Sequence, residues 1–437
     1  MKDRWRDSEA DNLIKGYTVT GHEDLALLAY ATRLVGIVPD LAMHGGGNTS
    51  CKGIFRTTSG DEIPALFIKP SGADMGMVFP EDFIAMDLVH LQRLNSVQAL
   101  SDEKITAMFH KNMLSRSNSL PSIETPMHAF LAKKFVIHTH PSAILALSNR
   151  IGGERFSAEA LGGEAGFIPY ASLGLHLGHS TAAEMVKKND PPAIVLAQHG
   201  LVTWGESAKE AYQKTISFVS RAENYLRKTK LFACAGESKT SVYTALRRYK
   251  KYSPLLMELL SPYSTVLAPL ISKETLDLLD GPHAREIFCT QPLNPDHLLR
   301  TKITPLFVEN PDYENEDSLR CQIAEGIKSY TAKYTAYLKR HLKQPKGLKP
   351  PASEFLPSVL LLPGLGAVCA AADAKTAHIF RDITRQSLHV KRLIYETGGT
   401  YFGLSEDDSF EMELRIWRKQ TYPSGVYRDN QRHSEEA

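Results

Sequence analysis

Two histidines, His138 and His140, close the run "KFVIHTHPSAI". The run reads as a strand, and on a strand residues i and i+2 project from the same face. The two imidazoles therefore stand side by side, with Thr139 turned to the other face. Neutral imidazole is a good ligand for zinc and similar divalent ions. A catalytic metal takes about three protein ligands and keeps one position open. Pro141 stops the ladder and leaves both side chains at a rim. His199, at the end of a second apolar strand "AIVLAQHG", is the best candidate for a third ligand, and Gly200 lets the chain turn sharply beside it. Glu124, in "PSIETPMH", is the natural carboxylate, placed near a helix start where the dipole favours a negative charge. Each of the four has a plainer reading, as a half-buried histidine, a strand-end residue or a helix-start glutamate. Only their convergence on one point favours a metal. His128 is read as a packing or supporting residue.

Two turns suit an anion. "HGGGNTS" (His44 to Ser50) exposes backbone N–H groups and short polar donors, and "KPSG" (Lys69 to Gly72) sets a cation, a hydroxyl and a glycine after a strand. Neither is a dinucleotide-binding or Walker pattern. "PGLG" (Pro363 to Gly366) reads as a tight β–α turn.

These side chains need strands and helices to hold them. Residues 1 to about 18 read as a loose polar arm. Leu25, Leu28, Thr32 and Val35 recur at helical spacing over Glu23 to Gly36. Next come a strand near Ala65 to Lys69, a helix from Pro80 to Leu94, and a helix around Ile123 to Ala132. Strands follow at Phe135 to His140 and Ala193 to Gln198. Ser207 and Glu210 read as a capping box opening a helix that ends near Lys230. A boundary falls near 230–240. Beyond it the chain reads as mostly helical to Leu342, with one strand near Thr301 to Val308. Arg300 and Lys302 flank that strand; they read as surface charges, with reach to a substrate anion as the alternative. A Pro/Lys-rich linker spans 343–358. A last strand, Val359 to Leu362, precedes a helix from Ala371 to Ser387.

The 437 residues allow two or three domains. With 51 Lys+Arg against 49 Asp+Glu, no global charge calls for nucleic acid or an anionic membrane. The five cysteines are scattered and form no C-x-x-C pair, which argues for a reducing compartment and against a thiolate zinc site. A polar N-terminus and the lack of a long apolar run make the cytoplasm the default.

Taken together, "GGGNTS", "KPSG", "PSIET", "HTHPSA" and "QHGLVTWG" resemble, in order, the motifs of the class II aldolase/adducin family over roughly residues 22 to 228. The resemblance implies that His138, His140 and His199 bind zinc, with Mn2+ or Co2+ as other options. It implies that Glu124 shuttles a proton. It implies that Gly47, Asn48, Ser71, Gly72 and Ser122 hold a substrate phosphate or another anionic end. It is closest to the aldolase part of rhamnulose-1-phosphate aldolase/short-chain dehydrogenase fusion proteins, where segments like "NPDHLLRTKITPLFV" and "VLLLPGLG" are expected. The dehydrogenase part, and with it NAD, is not expected in this chain. Fuculose-type members use a tyrosine from a neighbouring subunit shortly before a Gly-Gly. Here "RFSAEAL" precedes Gly162-Gly163 and holds none.

The implied fold is α/β, a three-layer αβα domain over 21–235 with a central mixed or antiparallel sheet, followed by an α+β region over 236–437. The implied function is metal-dependent cleavage or formation of a C–C bond in a ketose phosphate or sugar acid through a metal-stabilised enediolate. A 4-epimerase, a decarboxylase and a non-catalytic adducin-like module are the alternatives. The expected partners are a small sugar phosphate or sugar acid and further copies of the chain, a tetramer by resemblance.

Overall fold

In a computed structural model the chain is described for residues 1–17, 22–233, 236–342 and 350–421. Its larger sheet has seven strands: β1 (Asn48–Arg56), β2 (Glu62–Ile68), β3 (Ile84–Asp87), β4 (Phe135–Thr139), β5 (Gly166–Ile168), β6 (Ala193–Leu196) and β7 (Gly200–Gly205). They lie in the order β3-β2-β1-β4-β7-β6-β5. All neighbours are antiparallel except β5 and β6, so the sheet is mixed. Both faces are apolar, as a sheet between two helical layers must be. Phe135 and Ile137 of β4 pack with Leu28, Val35, Tyr212 and Ile216 on one side. Val136 packs with Met127, Leu177 and Val202 on the other. His138 shares the face of Val136, so the two-residue period aims it at the layer that carries the helix Thr125–Phe130.

The second sheet uses β8 (Val266–Leu270), β9 (Leu306–Phe307), β10 (Val359–Leu362) and β11 (Gly366–Ala371), in the order β8-β11-β10-β9. The helix Ala374–Glu396 covers one face of it, and its Val390 and Ile394 enter the core of the larger sheet. That helix is the main physical link between the two halves.

Several expectations change. The N-terminal segment is not loose: Asp7–Tyr17 is helical, and Trp5 packs edge-on against Tyr30 at 4.9 Å and tilted against Tyr212 at 6.0 Å. The expected helix Pro80 to Leu94 is a short 3-10 turn, then β3, then the helix Leu88–Arg93. The open edge of β2 takes Ile84–Asp87 as a strand, a pairing that no local periodicity announces. "PGLG" closes a β10–β11 hairpin rather than leading into a helix. The strand β8 was hidden by Pro269, which an edge strand tolerates. Around Thr301 the chain is helical, over Pro295–Thr301, and the expected strand shrinks to β9. The capping box is half formed: Ser207 Oγ accepts from the Glu210 N–H at 3.1 Å, but Glu210 reaches the Glu206 N–H. Of the expected linker, residues 343–349 lie outside the described residues, as do Cys234 and Ala235 at the expected boundary. The other four cysteines are free thiols. Among the described residues no helix is long and apolar enough to cross a membrane.

Candidate metal centre

The end of β4 and the β6–β7 turn bring His138, His140 and His199 together, all buried. The Nε2 atoms of His138 and His140 lie 3.0 Å apart, and those of His138 and His199 lie 3.2 Å apart. A tetrahedral ion with ligand bonds of about 2.0–2.1 Å requires nitrogens roughly 3.3 Å apart. His138 Nδ1 sits 3.1 Å from the Leu201 carbonyl and donates to it, which leaves Nε2 bare toward the cluster. Gly200 is needed for a reason other than a tight turn. A Cβ there would stand 2.1 Å from the Thr139 carbonyl, so only glycine lets β7 approach the ligand strand. Within the β6–β7 turn the left-handed non-glycine position is Gln198, at φ 51°.

Glu124 precedes the helix Thr125–Phe130, but its side chain does not cap it. The carboxylate turns instead to the imidazoles, with Oε1 3.0 Å from His199 Nε2 and Oε2 3.6 Å from His138 Nε2. Asn48 Nδ2 donates to Glu124 Oε2 and, at 3.1 Å, to Ser122 Oγ. Asn48 Oδ1 meets His128 Nε2, and His128 Nδ1 meets Ser50 Oγ at 2.7 Å. His128 thus supports the carboxylate through Asn48 and stands behind it.

Burial pushes His138 down to about 4 and His128 down to about 3, and holds His140 well below the usual histidine range. These imidazoles are neutral at pH 7, the form a metal needs. Burial alone would raise Glu124, yet His138, His199 and the Asn48 hydrogen bond hold its carboxyl well below the usual range. The neutral His138 supplies little of that charge at pH 7, so the Asn48 bond and the imidazole contacts keep the carboxylate ionised. Glu124 Oε1 and His199 Nδ1 are buried without a hydrogen bond. A buried, unbonded carboxylate oxygen beside bare imidazole nitrogens fits a cation ligand set.

The residues expected to hold an anion divide in two. Asn48 and Ser122 are engaged in holding Glu124, since Ser122 Oγ also accepts from the Glu124 N–H at 3.2 Å. Ser71 and Gly72 are exposed at the cleft, and among the described residues the Ser71 hydroxyl and the Gly72 N–H make no hydrogen bond. Gly47 packs so closely on β4 that a Cβ would meet the His138 carbonyl at 2.7 Å. Lys69 does not reach for a ligand. Its buried ammonium donates to the carbonyls of Gly45, Pro70 and Ala73, and burial lowers it to about 8.

The cleft over the imidazoles measures about 240 Å³ and is lined by Gly47, Asn48, Ser71, Gly72, Ser122, Glu124, His140 and His199. Asp296, His297, Arg300 and Gln386 line it too, from far along the chain. Asp296 Oδ2 lies 3.3 Å from His140 Nδ1. Partial desolvation in the cleft wall, then the Glu124 charge, raises the Asp296 carboxyl above its usual range, although its side chain is 41% exposed. Gln386 Nε2 donates to the His140 carbonyl at 3.3 Å and to Ser142 Oγ at 3.1 Å, and Gln386 Oε1 meets His297 Nε2 at 3.0 Å. Of these only Arg300 stood out in the sequence, as a charge flanking an expected strand with reach to a substrate anion as its second reading. "NPDHLLR" was visible as a segment, but nothing local says that it folds over a site some 150 residues earlier. Two larger clefts, of about 380 and 330 Å³, lie between the halves, but neither reaches the imidazole cluster.

Residues 26–226 match the family model "Class II Aldolase and Adducin N-terminal domain", and residues 239–417 match "Aldolase class II, second domain". The chain belongs to the class II aldolase/adducin family. It is 27% identical over 439 aligned residues to the "Uncharacterized oxidoreductase YuxG" of Bacillus subtilis (strain 168), an alignment covering 97% of this chain and 60% of that protein. The class II chain thus spans 60% of that relative's length. A "Methylthioribulose-1-phosphate dehydratase" of a Picosynechococcus species is 27% identical over 171 residues, or 34% of this chain and 69% of that one. Among solved structures, the N-terminal class II aldolase domain of a Thermoplasma acidophilum protein is 36% identical, with 47% of this chain and 94% of that chain covered and a TM-score of 0.44. Among the described residues no tyrosine lines the cleft. Tyr170 points its hydroxyl into the protein, buried and without a hydrogen bond, beside Leu298 and Leu404.

Proposed function

We propose that the chain is a metal-dependent class II aldolase that makes or breaks a C–C bond in a ketose phosphate or related sugar acid. The observation that carries this reading is the cluster of buried imidazole Nε2 atoms 3.0–3.2 Å apart with the ionised Glu124 against it. His138, His140 and His199 would hold zinc, or Mn2+ or Co2+, through Nε2. When bound, such an ion supplies Lewis acidity toward a carbonyl oxygen. Glu124 moves the proton on and off the donor carbon, held for that task by Asn48 and Ser122. Ser71 and Gly72, beside the Gly47 turn, receive the anionic end and fix its geometry. The same reading takes residues 21–235 as the metal-binding unit and 236–437 as the unit that closes it, within a cytoplasmic homo-oligomer.

A 4-epimerase or a decarboxylase of a sugar-acid phosphate would use the same metal and carboxylate, and the dehydratase named among the relatives points to the same breadth. The complete ligand set weighs against a non-catalytic binding module. Product analysis of the metal-loaded protein on a panel of ketose and keto-acid phosphates separates these readings. The expected outcome is an aldehyde together with a hydroxyketone fragment. Epimers or carbon dioxide would move the assignment to the alternatives, and no turnover of any panel member by metal-loaded protein would overturn it.

A further inference from the structure

The sequence reads Arg300 first as a surface charge beside a strand, with reach to a substrate anion as the alternative. It sits instead on the helix Pro295–Thr301, half-buried, in the wall of the cleft above the imidazoles. One of its N–H groups donates to the His44 carbonyl at 3.3 Å, at the head of the glycine turn. That turn is pressed against the second one: a Cβ on Gly45 would stand 2.5 Å from the Gly72 carbonyl. Arg300 is therefore fastened to the structure that presents the Ser71 hydroxyl and the Gly72 N–H.

The other basic side chains near the turns are already engaged. Lys69 is held by three carbonyls, and His44 pairs with Asp382 at 3.1 Å. No carboxylate is in ion-pair contact with Arg300 among the described residues. A guanidinium offers five donors in a planar fork, so one bond to His44 leaves the geometry that grips a phosphate or carboxylate. Asp296, one helical turn earlier, sets a carboxylate beside His140. The helix thus offers a repulsive group at the imidazole end of the cleft and an attractive one at the turns. A substrate with one anionic end is oriented by that polarity.

We propose that Arg300 anchors the anionic end of the substrate, a phosphate or a carboxylate, so that recognition is shared between the glycine turns and the C-terminal half of the same chain. The inference rests on the metal-dependent reading above, and its test separates the two. Metal-loaded full-length protein and its Arg300→Gln and Arg300→Lys variants are titrated calorimetrically with dihydroxyacetone phosphate, hydroxypyruvate and dihydroxyacetone. Metal content and the thermal midpoint are measured alongside. Arg300→Gln should keep its metal and its midpoint and weaken the anionic probes about 10- to 100-fold. Neutral dihydroxyacetone should bind unchanged, and Arg300→Lys should fall between. A loss confined to dihydroxyacetone phosphate identifies a phosphate site, and one confined to hydroxypyruvate a carboxylate site. Equal binding of both anionic probes by wild type and Arg300→Gln overturns the anchor, and so does uniform weakening of all three probes. Wild-type protein that takes up no metal and binds none of the probes fails the functional reading itself.

Discussion

Glu124 combines burial, a fixed hydrogen bond from Asn48 and contact with two imidazoles. Glu124→Gln preserves its shape but removes the proton acceptor that the proposed chemistry requires. It should keep bound metal and lose about 10²–10⁴-fold in turnover; steady-state kinetics on a variant of unchanged metal content checks this, and unchanged turnover would take Glu124 out of the chemistry. The buried histidines fix a pH dependence. An unfolded histidine titrates near pH 6.5, at about the model-peptide value, whereas folded His138 titrates at about 4. Between those values the unfolded chain binds more protons, so metal-free protein should lose stability as the pH falls through that window. Urea midpoints measured at intervals from pH 7 to 4 test it, and a flat profile would mean that the imidazoles are not buried neutral. The three clustered histidines were legible because each ends an apolar strand run and the two-residue period sets His138 and His140 on one face. Asp296 and Gln386 were not, and Arg300 only as the weaker of two readings, because their placement depends on tertiary packing and not on any local pattern.

At the scale of elements, the centre depends on how closely β7 runs beside β4. Gly200→Ala would drive a Cβ into the Thr139 carbonyl, now only 2.1 Å from that position. Backbone cannot yield as a side-chain tip does, so a cost of about 1–3 kcal/mol or more is expected, together with weakened metal binding. Chemical denaturation and a metal titration of that variant read both effects, and a variant with wild-type values for each would show that the approach is not required. Helix Glu23–Gly36 and the strands at 65, 135 and 193 follow from apolar periodicity and emerged from the sequence. The strands β3, β8 and β11 did not. β3 is short and fills an open edge, β8 carries Pro269, and "GAVCAA" of β11 is uniformly small and buried, so none shows the alternation that marks a half-exposed strand.

At the scale of the whole molecule, the two sheets are joined through the helix Ala374–Glu396, whose Gln386 grips the His140 backbone. Metal binding and the packing of the two halves should therefore reinforce each other. Ligand that binds only the folded state stabilises it, by about 4 kcal/mol at a free concentration roughly 1,000 times Kd. Chelator treatment should lower the thermal midpoint, and added zinc should restore it. A midpoint indifferent to both would mean that the imidazole cluster binds no ion tightly. The Gln386→Ala variant should show a smaller metal-dependent shift, measured in the same thermal scans, because the His140 carbonyl loses its tether.

The most direct measurement is anomalous diffraction at the zinc absorption edge from crystals of the zinc-loaded protein. One peak should appear about 2.0–2.1 Å from the Nε2 atoms of His138, His140 and His199. Zinc bound elsewhere, or no peak among those three rings, would contradict the assignment of a catalytic metal to this cleft.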